Sequence, residues 1–279
     1  MKLHTINTGM FKLDGGAMFG VVPKSIWNKL NPADENNMCT WSMRCLLIEE
    51  GNRLMLIDNG IGNKQDEKFF GHYYLHGNDT LDSSLKQLGF HRSDITDVFL
   101  THLHFDHCGG SIIRENDRLI PAFANANYWS HSKHWQWATS PNEREKASFL
   151  KENILPIQES GQLKFADQQA DELPHWLQLF EANGHTEAMM IPHITYQDKT
   201  LVFMADLLPS AAHIPIPYVM AYDMFPLTTL KEKKQFLQEA AEKNFTLFFE
   251  HDAQHECCNL QITEKGIRAG EKFTLEEWV

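Results

Sequence analysis

The sequence predicts an α/β domain, and three observations predict it. Short apolar runs recur along the chain, at 45–50, 53–58, 98–100, 177–182, 191–196, 200–204 and 245–250. Helical patterns over 79–89 and 229–243 fall between them, so strands and helices alternate. Polar side chains able to hold a metal follow several of these runs at their C-terminal ends. With 279 residues, 42% hydrophobic and 22% charged, the chain is long enough to bury a sizeable core within one domain, 1–279.

Residues 1–13 predict an opening strand. Asp14 to Lys24 is rich in glycine but lacks the spacing of a phosphate-binding loop. Its apolar part, Met18, Phe19, Val21 and Val22, is bracketed by Gly15, Gly16 and Pro23, which predicts an exposed apolar loop able to line a pocket. Residues 32–37 read as a turn. The runs at 45–50 and 53–58 are separated by Gly51-Asn52 alone, a hairpin signal. Leu81, Leu85 and Leu88 share a helical stripe, started by Asp79 or Thr80 and stopped by Gly89. Ser140-Pro141-Asn142-Glu143 predicts a capped helix running to about Asn153. Before it, Trp135 and Trp137 stand as packing residues or as a pocket wall opposite residues 18–22. The pattern of 229–243 predicts an amphipathic helix with a charged, solvated outer face.

The densest chemistry lies in Thr101-His102-Leu103-His104-Phe105-Asp106-His107-Cys108-Gly109-Gly110. Three histidines and an aspartate occupy six positions after a buried strand. Imidazole and carboxylate donors suit zinc and other borderline divalent metals. His102 and His104 can reach one ion while Leu103 points away, and Asp106 and His107 can reach a second. Asp58, His185, Asp206 and His251 also follow apolar runs, so strand ends at one sheet edge would gather them with the histidine loop.

These pieces together resemble the metallo-β-lactamase superfamily of hydrolases. The matching residues are Asp58-Asn59-Gly60, the HxHxDH run from His102 to His107, Gly184-His185-Thr186, Ala205-Asp206 and Glu250-His251. The resemblance implies a four-layer αββα sandwich with two zinc ions, or other divalent metals. His102, His104 and His185 would hold one ion, Asp106, His107 and His251 the other, and Asp206 would bridge them. Asp58 would hydrogen-bond a ligand and fix its tautomer. Residues 15–24 are similar to the quorum-quenching lactonase and methyl-parathion-hydrolase-like branch. Several lactonases place a carbonyl-polarising tyrosine three residues after the bridging aspartate; Pro209 stands there, and His213, Tyr218 and Tyr222 are the nearby candidates for that role.

The implied chemistry is opening of acyl homoserine lactones or related lactones by a hydroxide shared between the metals, with Asp106 or Asp206 moving the proton. Aryl esters and phosphotriesters are the nearest alternative substrates. A metal-binding redox or sensor protein is the more distant reading. A net charge of -12 argues against a nucleic-acid partner. No apolar segment is long enough to cross a bilayer, and no signal peptide precedes the first strand. Five scattered cysteines, Cys257-Cys258 among them, read as reduced thiols of a cytoplasmic protein. The expected partner is a small-molecule substrate. The sequence leaves the oligomeric state open, a homodimer included.

Overall fold

A computed structural model gives the structure of residues 1–279. It contains two six-stranded sheets with helices, and the chain divides into two compact units interleaved in sequence.

The first unit comprises 1–9, 43–174 and 188–190. Its sheet is ordered β1 (Lys2–Asp14), β2 (Met38–Glu50), β3 (Arg53–Ile57), β4 (Asp97–Phe99), β5 (Asn127–Ser130) and β6 (Leu163–Phe165). β1 and β2 continue along the chain into the second unit. The Gly51-Asn52 hairpin forms in the expected register, Glu50 opposite Arg53, with Gly51 at φ +57°. β3, β4, β5 and β6 then run parallel. Parallel strands are covered on both faces, and Leu54–Ile57 and Val98–Leu100 are accordingly buried throughout. Their shared direction brings the ends of β3 and β4, and so Asp58 and the histidine loop, to one edge.

Two expectations for this unit need correction. The helix at Leu81–Gln87 has its Thr80 cap and buries Leu81 and Leu85, but Leu88 lies at the C-cap and is 37% exposed. No helix starts at Pro141. Ser140 instead closes the helix Ser132–Thr139, its amide donating to Gln136 O and Trp137 O. Asn142 then folds a turn by accepting from the Arg144 and Glu145 amides, and the next helix is Lys151–Glu159.

The second unit comprises 10–42, 175–187 and 191–279. Its sheet takes β7 (Leu177–Ala182), β8 (Met189–Tyr196), β9 (Lys199–Phe203), β10 (Thr246–Phe248), β11 (Cys257–Thr263) and β12 (Gly266–Phe273), again neighbours in chain order. β9 and β10 pair in parallel, which puts Asp206 and His251 at one edge.

The glycine-rich segment is not an exposed loop. Asp14 accepts from the Ala17 amide and starts a single helical turn, Gly15–Phe19. The glycines serve close packing: a Cβ on Gly15 would lie 2.4 Å from the Trp27 ring, and one on Gly20 2.3 Å from Val219 O. Met18 and Phe19 are buried, with the Phe19 ring stacked on Trp27 at 5.4 Å and on His213 at 4.6 Å; Val21 alone projects, 92% exposed.

The helix Pro226–Glu242 is not simply solvated either. Its Lys233, 1% exposed, donates to the carbonyls of His213 and Tyr218 at 2.7 Å, Pro215 at 3.2 Å and Ile216 at 3.4 Å. All five cysteines are free and buried. Cys257 and Cys258 are consecutive on β11 and point to opposite faces, and burial pushes the Cys258 thiol up to about 12, far from the thiolate a metal needs. No helix is long and apolar enough to cross a membrane.

Candidate functional site

In the first unit, the loop after β4 carries His102, His104, Asp106 and His107, all buried. Leu103 turns into the core, and its amide donates to His134 Nε2 at 2.8 Å. His102 Nε2 and His104 Nδ1 thereby converge to 3.1 Å, the outer nitrogens of the two rings being anchored. Thr101 Oγ1 lies 3.1 Å from His102 Nδ1, and Glu145 Oε1 lies 3.0 Å from His104 Nε2. Glu145 is itself held by the Trp137 indole, which donates to Oε2 at 2.6 Å. His107 Nε2 sits 3.8 Å from Asp106 Oδ2, with its Nδ1 3.1 Å from Asp58 Oδ2.

Asp58 thus lies against the outer nitrogen of His107. It also accepts from Thr101 N at 2.8 Å and Thr101 Oγ1 at 2.6 Å, from a left-handed backbone at φ +55°. Strained backbone of this kind persists where surrounding contacts over-determine it. The Gly109-Gly110 pair explains how: residues 59–61 pass directly over it. A Cβ on Gly109 would meet Ile61 O at 2.1 Å and one on Gly110 would meet Asn59 O at 2.3 Å. Asn59 N to His107 O and Gly110 N to Gly60 O, both 2.9 Å, lock the two loops.

In the second unit, Asp206 presents one carboxylate oxygen to each of two imidazoles. Its Oδ2 is 3.1 Å from His185 Nε2 and its Oδ1 is 3.2 Å from His251 Nε2. The far nitrogens are pinned again: His185 Nδ1 lies 2.9 Å from Asp223 Oδ1, and His251 Nδ1 donates to Ser42 O at 2.8 Å. Thr229 donates to Asp223 at 2.7 Å, and the amides of Asn183 and Gly184 donate to Glu232 at 2.7 and 3.0 Å, so the helix Pro226–Glu242 sets the His185 loop. Burial opposes a charge on His185, but Asp206 and Asp223 outweigh it and raise the imidazole to about 10. A metal ion entering there would displace that proton.

This donor chemistry fits a divalent cation. Each cluster aims ring nitrogens inward while a carboxylate, hydroxyl or carbonyl fixes the opposite nitrogen, the arrangement that orients imidazole ligands. No cysteine takes part, and the oxygen and nitrogen donors match zinc and its neighbours.

The residues expected to touch substrate divide. Met18, Phe19 and Trp135 are buried, 1%, 0% and 5% exposed, and pack in the core. Trp137 is half-buried and holds Glu145. His213 is buried with both nitrogens engaged, Nδ1 with Ser210 Oγ at 2.8 Å and Nε2 with Met18 O at 2.9 Å, and burial lowers it to about 3. It has no group left for a carbonyl. Tyr218 is half-buried and edge-on to Phe19, and Tyr222 is 38% exposed. Pro209 uses its carbonyl to accept from His251 N at 3.1 Å.

Sequence reasoning missed Glu145, Asp223 and Ser42, the outer partners of three histidines. It also missed an aromatic face beside Asp106: Phe105 packs against Tyr73 at 4.7 Å and Phe69 at 5.4 Å. The one available signal was the spacing of Phe69, Phe70 and Tyr73 along a helical turn.

The metallo-beta-lactamase superfamily profile matches residues 44–251. The chain belongs to that superfamily. It is a metal-dependent hydrolase, and relatives and solved structures agree along its length. An N-acyl homoserine lactonase from a Bacillus species is 24% identical over 269 residues, 91% of this chain and 94% of its own. A probable metal-dependent hydrolase from Staphylococcus aureus is 28% identical, with a TM-score of 0.89 over 99% of this hydrolase and 97% of its own chain. AidC, a dizinc quorum-quenching lactonase in complex with a product, superposes with a TM-score of 0.81 at 22% identity over 98% and 95% of the two chains.

Proposed function

We propose that this hydrolase is a dinuclear-zinc lactonase that opens acyl homoserine lactones, with residues 1–279 acting as one catalytic domain. The observation that carries the reading is the match to N-acyl homoserine lactonases over nine-tenths of the chain, together with the inward-facing His and Asp donors. In this reading His102, His104 and His185 hold one ion and Asp106, His107 and His251 the other. Asp206, with an imidazole on each oxygen, would be a ligand to both. Two ions bound there would activate water at neutral pH and polarise the lactone carbonyl.

The protein supplies orientation and proton transfer. Asp58, Glu145, Asp223 and the Ser42 carbonyl keep four imidazoles in the metal-binding tautomer. In this reading Asp106 or Asp206 takes a proton and returns it to the leaving alkoxide. The Phe69, Tyr73 and Phe105 face offers apolar surface to the acyl chain.

The test is ring opening of acyl homoserine lactones of increasing chain length by zinc-loaded protein, followed by proton release. Each buried methylene contributes up to about 0.8 kcal/mol, so kcat/KM should rise with length until the pocket fills. Phe69→Ala should lower it most for long chains. Inert lactones with turnover of aryl esters or phosphotriesters would replace the lactonase reading by that of a broader metallo-hydrolase.

A further inference from the structure

The second unit contains a cleft of about 290 Å³ that the chemistry above does not use. That size is at the small end of ligand sites, which run from about 300 to 1,000 Å³. The segment after Pro209, the residues after His251 and β12 form its walls.

Two cations border it, Arg268 and Lys272. Neither is tied to a carboxylate: the Arg268 guanidinium donates to the neighbouring Ile267 carbonyl, at 2.7 Å, and Lys272 makes no ion pair. β12 is bulged between them, where its register against β11 shifts and Asn259 Oδ1 accepts from Glu271 N at 2.7 Å. Bulges re-aim side chains beside binding sites.

The acid in the cleft is already held by backbone. Asp252 Oδ2 accepts from Ala211 N at 3.0 Å, and its Oδ1 accepts from the amides of Gln254 and His255, both at 2.9 Å. Asn31, Ser210, Gln254 and His255 add polar lining, and Leu30, which is 45% exposed, supplies apolar surface with Ala211 and Pro215.

We propose that this cleft binds a small carboxylate with a short apolar tail, its head on Arg268 and Lys272 and its tail along Leu30, Ala211 and Pro215. A guanidinium offers paired N–H groups that match a carboxylate, and an ammonium beside it adds charge without demanding geometry. The cleft shares its walls with the segments that place His251, since Pro209 O accepts from His251 N and Asp252 follows His251 directly. A ligand seated there would lie against the same backbone that positions His251. The inference is independent of which substrate the hydrolase opens.

The experiment titrates full-length, zinc-loaded protein with hexanoate, read by calorimetry and by ¹⁵N–¹H correlation spectra. Saturable binding is expected, with shifts at the Ala211, Asp252 and Arg268 amides. Acetate should bind at least tenfold more weakly, for want of a tail. Arg268→Ala combined with Lys272→Ala should weaken hexanoate at least tenfold while leaving substrate turnover unchanged, because neither residue belongs to the catalytic machinery. A carboxylate can also reach the metals, and the double variant separates the two sites. Unchanged hexanoate affinity in that variant, no binding at all, or inorganic phosphate binding better than hexanoate would each overturn the proposal.

Discussion

Replacing Asp58 by Asn keeps its size and its tolerance of φ +55° but removes one acceptor. Asp58 accepts three donors: Thr101 N on Oδ1, and Thr101 Oγ1 and His107 Nδ1 on Oδ2. An Asn side chain cannot satisfy both sides. With its NH2 toward His107, the imidazole must accept at Nδ1 and carry its proton on Nε2, the nitrogen needed for metal. With its oxygen there, the NH2 opposes the Thr101 amide, two donors face each other, and the cost is about 1–3 kcal/mol. Both outcomes weaken the His107 ion. Loss of such an outer partner costs about tenfold to a hundredfold in metal affinity. Chelator competition on Asp58→Asn and the parent measures it, and ¹⁵N spectra of the zinc-free protein report the His107 tautomer. Metal affinities within twofold of the parent, with Nδ1 still protonated, would refute the argument.

Three further outcomes follow from burial. Phe19→Ala should destabilise the fold by about 3–5 kcal/mol in urea, as a core deletion does, without changing metal stoichiometry; little loss of stability would return Phe19 to a surface role. Lys233→Met leaves four carbonyls without their cation, and should cost about 3 kcal/mol and loosen 213–218, seen as faster amide exchange there. Burial between Phe236 and Phe245 lowers His193 to about 4, so the unfolded chain binds the extra proton first as pH falls from about 6.5 to 4. Stability should therefore drop through that window, by up to about 3 kcal/mol, and His193→Phe should flatten the drop.

Much of this was legible in the sequence because it depended on local pattern. Asp58 and His102 end apolar runs in one unit, as Asp206 and His251 do in the other, and in each unit parallel strands deliver those ends to one edge of their own sheet. Gly51-Asn52 fixed the β2–β3 register in the same way. What escaped was set by distant packing. Glu145 lies 41 residues from His104, and Asp223 lies 38 from His185, in segments with no periodicity to mark them. Ser140 looked like a helix start but was needed as a helix end. Gly15 and Gly16 suggested an exposed loop, whereas Gly15 and Gly20 admit Trp27 and Val219 at distances no side chain would allow. A buried lysine in a charged helix, Lys233, was invisible because only its partners' carbonyls distinguish it from its solvated neighbours.

The most direct measurement is ring opening of N-hexanoyl homoserine lactone as a function of zinc bound per chain. Zinc-free protein is reconstituted stepwise, and bound metal is quantified at every point. The account predicts turnover that climbs to a plateau at two ions per chain, and an Asp206→Ala variant that retains neither ion tightly. A plateau at one ion, or no lactone turnover with two ions bound, would contradict it.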